Sequence, residues 1–180
     1  MNIYTKTGDQ GETKLLYGDT VPKDSLAPEA YGSVDELVSS LGLIRAEKEL
    51  PIEIKETLLR IQRELFVVGA ELATSKENRT KLKAKKTLVE NSMVEVLEKE
   101  IDFLEEKNGI PEFFVVPGEN IISAKFEWSR VVSRRAERKC VTWQNRLEID
   151  DSKVVVYLNR LSDLLWMLAR DFEEDWTPSK

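Results

Sequence analysis

The chain has 180 residues, a formal net charge of −6 and no histidine. This length suits a single domain with one core, and the acidic balance argues against a general nucleic-acid binder, whose basic face normally raises the isoelectric point. Without histidine, Ser-His-Asp and Cys-His catalysis and imidazole-ligated zinc sites are excluded, so any enzymatic chemistry must use carboxylates, Lys and Arg, an oxygen-ligated cation, or a reagent that the protein does not supply.

The N-terminal segment, residues 1–27, is rich in Gly, Thr, Asp and Lys without a sustained period, which predicts a structured loop or short hairpin ahead of a helical part, 28–180. Within it, residues 5–14 combine two glycines, two lysines and three threonines, a composition that suits a polyphosphate. Asp9 or Glu12 could bind Mg²⁺ directly or through water. The segment is not a Walker loop, and similar loops are commonly only turns, so both interpretations stay open.

Five amphipathic segments follow, each with apolar residues at i, i+3 and i+4 spacing. Pro51 suits a first helical turn, and the run 108–111 combines a glycine stop with a following proline. Five long helices with short connections predict one all-α domain, a five-helix antiparallel bundle of the ferritin-like kind. The predicted helices cover about residues 29–47, 51–74, 87–107, 119–145 and 152–176.

One connection, residues 75–86, is longer and strongly basic. It carries Lys76, Arg79, Lys81, Lys83, Lys85 and Lys86 against the single acid Glu77. Such a run is typical of a mobile, solvated linker, so we expect it to be poorly ordered. A docking patch for RNA is the less favoured alternative, and it predicts an affinity that falls steeply with salt.

The fourth predicted helix concentrates arginine. Glu127, Arg130, Arg134 and Glu137 fall on one stripe at 3.6 residues per turn, and like charges one turn apart repel by a few tenths of a kcal/mol. Arginine is suited to grip phosphates and carboxylates in a fixed fork. The stripe is consistent either with a phosphate-binding surface or with a solvated face that carries local Glu–Arg pairs.

The single cysteine and the shortness of the apolar runs indicate the environment of the chain. The single Cys140 excludes an internal disulfide and a Cys-only metal cage, and no apolar run approaches the roughly 18 residues of a membrane span. The first residues lack the apolar region of a secretory signal. We therefore expect a cytoplasmic protein without a membrane partner, in which Cys140, Trp128, Trp143 and Trp166 serve packing.

Several short blocks of residues stand out along the chain. In chain order they are Tyr4-Thr5-Lys6-Thr7-Gly8-Asp9-x-Gly11, Lys23-Asp24, Tyr31-Gly32-x-Val34-Asp35-Glu36-Leu37, Phe114-x-x-Pro117-Gly118, Ser123-Ala124, Arg130-x-Val132-x-Arg134-Arg135-Ala136-Glu137-Arg138 and Tyr157-Leu158-Asn159-Arg160-Leu161-Ser162-Asp163. Together these blocks resemble the PduO-type cob(I)alamin adenosyltransferases. The resemblance implies a homotrimer of five-helix bundles with active sites between neighbouring subunits. It also implies transfer of the 5′-deoxyadenosyl group of ATP to the Co(I) of cob(I)alamin, which forms adenosylcobalamin and releases triphosphate.

The resemblance also implies which residues bind ATP, and it assigns no direct protein ligand to the metal. Arg134 would clamp the phosphates, and Glu137 would help to orient ATP or its Mg²⁺. The triphosphate would be cradled from one subunit by Thr5, Lys6, Thr7, Gly8, Thr13, Lys14 and Lys23. ATP would be held from the next subunit by Arg134, Arg135, Glu137, Arg138 and Asn159.

On the corrinoid side, the resemblance implies that Asp35 pairs with Arg130 across the subunit boundary. Phe114 would exclude the lower axial ligand and leave the cobalt four-coordinate. From spacing alone, Asp35 could equally be an ordinary first-turn acid, and Phe114 a core residue.

Three positions depart from the family pattern. Glu127 stands in place of a His, Glu119 in place of a second Gly, and Val38 in place of an Asn. Glu127 could pair with Arg130 and weaken the contact with Asp35, or tune corrinoid preference.

The implied reaction is compatible with the missing histidine, because Co(I) is itself a strong nucleophile and needs no general base. The resemblance implies an electron donor such as a flavoprotein reductase as a partner, and it leaves open a cobalamin-dependent mutase as a second one. The competing hypothesis is a non-catalytic ATP-binding bundle that acts as a sensor or delivers finished cofactor.

Overall fold

A short hairpin precedes the helices. The computed structural model describes Tyr4, Lys6 and residues 8–180 of the chain. Strands β1 (Glu12–Lys14) and β2 (Thr20–Pro22) pair antiparallel, with Thr13 opposite Val21. The predicted short hairpin is therefore confirmed.

Five long helices form the rest of the domain, which confirms the predicted mostly helical fold. The third begins four residues later than predicted, because the amides of Lys86, Thr87 and Leu88 all donate to the Lys83 carbonyl and form a turn there. The fifth ends five residues earlier than predicted. The helices are α1 (Leu26–Arg45), α2 (Ile52–Leu72), α3 (Asn91–Asn108), α4 (Ile121–Leu147) and α5 (Val154–Asp171).

Helix α4 lies between α1 and α5, while α1 also packs against α2, and α5 against α3. Its inner side contributes Phe126, Ala136, Cys140 and Trp143 to the core, all wholly buried. Burial of such large apolar side chains is the main favourable term in folding. In the part of the chain that the structure describes, no helix is both long enough and apolar enough to cross a membrane.

The basic connection is ordered, so the prediction of a poorly ordered 75–86 segment was wrong. It contains a 3-10 helix, Lys76–Lys81, that is tied to the bundle. Arg79 Nη2 lies 3.2 Å from Oε1 of the wholly buried Glu71 and 2.8 Å from Oδ1 of Asp151. Because Glu71 and Asp151, which both lie outside the segment, neutralise the charge of Arg79, the segment does not behave as an isolated basic run.

Candidate active site

The N-terminal loop places an ammonium group directly over a glycine. A Cβ atom on Gly8 would lie 3.0 Å from Nζ of Lys23 and 3.3 Å from the Glu12 carbonyl oxygen. The amide of Lys23 donates to the Gly11 carbonyl at 2.8 Å, which brings the two segments together. The backbone of residue 8, which has no side chain, and the ammonium of Lys23 thus lie side by side, an arrangement that suits an anion.

Three other predicted cradle residues, Lys6, Thr13 and Lys14, lie among the described residues. Lys6 has a positive φ of 60°, is exposed, and lies with its Nζ 6.0 Å from the Tyr4 ring centroid. Thr13 is half-buried and Lys14 exposed, and the pleat of β1 directs their side chains to opposite faces. Thr5 and Thr7 lie outside the described residues.

Contacts with the end of α2 and with the 3-10 helix hold the hairpin in place. The Leu16 amide donates to the Ala73 carbonyl at 2.8 Å. Ser75 Oγ and Asn78 Nδ2 donate to Oδ2 of Asp19 at 2.7 and 2.6 Å, and these two hydrogen bonds lower the pKa of the Asp19 carboxyl. Sequence reasoning missed this tie, because its partners are separated by more than fifty residues.

The arginine row, by which we mean Arg134, Arg135 and Arg138, lies on α4. This helix starts with a capping box formed by Asn120 and Ser123. Arg134 and Arg138 are exposed and make no side-chain hydrogen bond or ion pair with the described residues. Arg135 instead forms an ion pair with Glu36 of α1. The row therefore offers two guanidinium groups to a ligand, while a third is engaged within the protomer.

Asn159 joins this surface from α5. The Ser133 hydroxyl donates to the Leu158 carbonyl at 3.3 Å, so the next residues of the two helices, Arg134 and Asn159, lie at the same level, and both are exposed. Glu137, one turn further along α4, is half-buried. The structure thus brings Arg134, Glu137, Arg138 and Asn159 to one region.

No polar contact joins the cradle and the arginine row within one protomer. Across residues 8–24 and the arginines of α4, the structure records no hydrogen bond or ion pair between the two sets. Binding of one ATP between two copies of the chain, as the resemblance implies, stays a prediction.

Arg130 has a partner within its own helix. Its Nε donates to Oε2 of Glu127 at 2.7 Å, as expected for the departure at position 127. Asp35 is exposed on α1, and in the described part of the chain its carboxylate has no hydrogen-bond or ion-pair partner. Pairing of Asp35 with Arg130 across a subunit boundary stays a prediction.

Phe114 stands at the rim of an open cleft, and its interpretation as a core residue was wrong, since 87% of its surface is exposed. The C-terminal tail holds its loop, because the amides of Val116 and Ser179 donate to the carbonyls of Thr177 and Phe114, each at 2.8 Å. The cleft has a volume of about 540 Å³ and is lined by Ile110, Pro111, Glu112, Phe113, Phe114, Val115, Glu127, Arg130 and Trp166.

Asp35 borders a second cleft, of about 380 Å³, between α1 and α2. Its walls are mainly apolar and include Val38, the exposed Phe66 and Gly69. The departure from Asn at position 38 therefore makes this wall more apolar. The clefts beside Asp35 and beside Phe114 are separate surfaces of one protomer.

The sequence analysis missed Arg170, which is wholly buried behind the Phe114 cleft. Its Nη1 donates to Oε1 of Glu127 at 2.9 Å, and its guanidinium lies 5.3 Å from the Trp166 ring centroid. Glu173 accepts from its Nε and Nη2 at 2.5 and 2.8 Å. The spacing of Trp166 and Arg170, one turn apart on α5, was the available signal, whereas Glu173 lies just beyond the end of that helix.

Cys140 is buried, and burial together with the nearby Glu137 carboxylate raises the pKa of its thiol to about 12. A protonated, inaccessible thiol is not a nucleophile, which confirms its packing role. Within the described residues, no group of three or more His, Cys, Asp or Glu side chains could hold a metal ion. Trp143 is buried as predicted, whereas Trp128 is 55% exposed, so its assignment to packing within the chain was wrong.

Comparison with known proteins adds independent information. Residues 3–172 match a family model described as cobalamin adenosyltransferase. The chain is 39% identical to a corrinoid adenosyltransferase of Citrobacter freundii over 98% of this chain and 96% of the relative. It is 40% identical to a corrinoid adenosyltransferase of Bacillus subtilis over 94% and 86% of the two chains.

A solved structure resembles the whole fold. It is a variant of the PduO-type ATP:corrinoid adenosyltransferase of Lactobacillus reuteri in complex with cobalamin and ATP. The TM-score is 0.85 with 29% sequence identity, and the match covers 94% of this chain and 89% of that chain.

Proposed function

The chain belongs to the cobalamin adenosyltransferase family, and we propose that it transfers the 5′-deoxyadenosyl group of ATP to the cobalt of a reduced corrinoid, releasing triphosphate. The names of the two bacterial relatives and the ligands of the solved relative support an ATP:corrinoid adenosyltransferase. The observation that carries the proposal is the pair of exposed cationic surfaces that suit a triphosphate, the Lys23–Gly8 cradle and the row with Arg134 and Arg138.

The reaction needs no proton transfer from the protein. The electron pair of Co(I) attacks the 5′ carbon of ATP, a Co–C bond forms, and the C5′–O bond breaks with its electron pair leaving on the triphosphate. A chain without histidine can therefore catalyse it by positioning the two substrates and stabilising the leaving group. An external electron donor such as a flavoprotein reductase would reduce the corrinoid cobalt to Co(I). A cobalamin-dependent mutase is a suitable recipient of the product.

Cationic side chains would stabilise the leaving triphosphate. Lys6, Lys14 and Lys23 approach it from the cradle, and Arg134 and Arg138 from the α4 row. Arg134 is the phosphate clamp, because its exposed fork has no competing partner among the described residues and matches phosphate geometry.

Mg²⁺ would enter with the nucleotide. Asp9 and Glu12 are exposed and Glu137 is half-buried, and their carboxylate oxygens are donors that suit this ion, directly or through water. When bound, Mg²⁺ would neutralise part of the charge that develops on the phosphates. From the α4 side, Glu137 would help to orient ATP or its Mg²⁺.

We place the active site between subunits of a homotrimer. Among the described residues of one protomer, no hydrogen bond or ion pair joins the cradle to the arginine row, and a second copy would bring another row to the cradle. The exposed Trp128 and Val131 lie on α4 beside the row, and the exposed Phe66 lies beside Asp35, which leaves apolar area for a neighbour to cover. In this arrangement Asp35 of one copy faces Arg130 of the next.

Phe114 would act on the corrinoid. An aromatic side chain at the rim of a 540 Å³ cleft can cover one face of the corrin ring and exclude the lower axial ligand. A four-coordinate cobalt is easier to reduce, so the contact would favour formation of the nucleophile.

The proposal is tested by mixing the protein anaerobically with ATP, Mg²⁺ and chemically reduced cob(I)alamin. We expect the adenosylcobalamin absorbance to appear with one triphosphate released per product, and neither to appear in the mixture without protein. Tight ATP binding with no adenosylated product would instead favour the sensor or cofactor-delivery hypothesis.

A further inference from the structure

We infer that Glu127 and Arg170 are positioning residues for Arg130, which they hold at the Phe114 cleft with its terminal nitrogens open to the corrinoid side. The inference rests on the proposed function, because the ligand in the cleft is taken to be a corrinoid. Together with Glu173, these residues form one network of ion pairs.

The first link is the Glu127 carboxylate, which is shared between two arginines. Its Oε2 accepts from Arg130 Nε at 2.7 Å and its Oε1 accepts from Arg170 Nη1 at 2.9 Å. Only 6% of the Glu127 side chain is exposed. Because each oxygen is bound by a different guanidinium, the carboxylate cannot rotate without breaking a charge-assisted hydrogen bond.

The second link fixes Arg170. Its side chain is fully buried, and Glu173 holds its Nε and Nη2 in a bidentate pair. The Trp166 ring lies beside the guanidinium plane. All three guanidinium nitrogens of Arg170 therefore have a partner, and the two arginines and two glutamates balance in charge, as a buried ionic group requires.

The third observation concerns the terminal nitrogens of the Arg130 side chain. The Arg130 side chain is 26% exposed and is tied only through Nε, so its two terminal nitrogens have no partner among the described residues. Arg130 and Glu127 both line the Phe114 cleft. A guanidinium anchored at Nε still offers a planar pair of donors, so Glu127 does not compete for that edge but determines its direction.

A positioning role accounts for why such a network is present. A buried ion pair is weak support for stability, since apolar residues of similar volume often stabilise a fold equally well. A fixed orientation of a group that contacts substrate has a larger effect, because a misplacement of about 1 Å can cost roughly a hundredfold in rate.

The test compares Glu127→Gln with the matched control Glu100→Gln. Glu100 of α3 also accepts from a partly buried arginine, Arg60 Nη2, at 2.6 Å, but it lies outside the cleft. For Glu127→Gln we expect kcat/KM for cob(I)alamin to fall at least about tenfold, mainly through KM, while the Kd for ATP stays within about twofold. Glu100→Gln should change neither constant.

A spectroscopic readout separates positioning from a general loss of folded protein. In Glu127→Gln the fraction of bound cob(II)alamin in the four-coordinate form should fall. A merely structural role would lower all signals in proportion and leave KM and the Co(II) spectrum per bound corrinoid unchanged. Wild-type KM together with a wild-type Co(II) spectrum in Glu127→Gln would overturn the inference.

Arg170→Met leaves Glu127 and Glu173 buried beside an apolar side chain, which destabilises the fold, so Arg170→Lys, which keeps the charge but loses the fork, is the variant to test. We expect Arg170→Lys to reproduce the Glu127→Gln effect in weaker form. The last measurement does not depend on activity: crystals of Glu127→Gln should show Arg130 turned from its wild-type position, and an unmoved Arg130 would overturn the inference. Failure of the wild-type protein to form adenosylcobalamin would instead remove the proposed function.

Discussion

The ammonium of Lys23 lies over Gly8, with Nζ 3.0 Å from the position that a Cβ atom on residue 8 would take. The same Cβ would lie 3.3 Å from the Glu12 carbonyl oxygen, which belongs to the backbone and cannot easily move. A side chain at residue 8 must therefore displace Lys23. This geometry explains why a glycine is needed next to Lys23, the lysine that we propose binds phosphate.

Gly8→Ala should weaken ATP binding about tenfold, because loss of one charge-assisted contact is worth roughly 1.5–3 kcal/mol and every 1.4 kcal/mol is tenfold. The free energy of unfolding should change by no more than about 1 kcal/mol, because residue 8 is half-buried in a loop outside the core. Calorimetric titration and urea unfolding measure the two quantities. Gly42→Ala is the control, since its Cβ would meet only Gln62 Nε2 at 3.5 Å, and it should bind ATP normally.

Arg134→Ala should abolish detectable turnover and reduce ATP affinity at least about a hundredfold, because it removes the phosphate clamp. Stability should be unaffected, since the side chain is exposed and has no ion-pair partner among the described residues. Arg63→Ala, which removes an exposed arginine of α2, is the matched control. Wild-type activity in Arg134→Ala would remove this residue from the site.

Phe114→Ala should leave ATP affinity and unfolding free energy unchanged, because the side chain is almost fully exposed. The four-coordinate fraction of bound cob(II)alamin should fall, and with it the rate of reduction to Co(I). Phe103→Ala, which removes an exposed phenylalanine of α3, should behave as wild type. An unchanged Co(II) spectrum in Phe114→Ala would contradict the role assigned to this ring.

The protein should scatter light as a trimer, with three times the 20.7 kDa of one chain. Trp128→Glu places a charge on the apolar surface beside the arginine row, so it should shift the mass towards the monomer and weaken ATP binding in parallel. A monomeric mass for the wild-type protein would rule out an active site shared between subunits.

Cys140 should resist alkylation at about pH 8 in the native protein and react once the chain unfolds, because burial raises the pKa of its thiol to about 12. A raised folded-state pKa contributes stability below the ordinary thiol value, and this contribution is lost as pH rises towards 12. Urea unfolding at about pH 8 and pH 10.5 should show a smaller loss of stability for Cys140→Ala than for wild type. Rapid native alkylation would contradict the assignment.

The predictions from the sequence succeeded where contacts are local and failed where partners are distant. The hairpin and the five helices follow from turn residues and a 3.6-residue period, both properties of short windows. The ordered conformation of residues 75–86 depends on Glu71 and Asp151. No local pattern in the sequence reveals that these acids pair with Arg79. Periodicity likewise places Trp128 on an apolar face without saying whether its own chain covers it.

The sequence by itself determined the family, the helices and the residue types that suit a phosphate, because these depend on the order and chemistry of neighbouring residues. Only the tertiary structure decided that Lys23 lies over Gly8, that Phe114 is exposed at a cleft, and that Glu127 bonds both Arg130 and Arg170. The physical reason is that a side chain's direction and burial are set by packing between helices far apart in sequence.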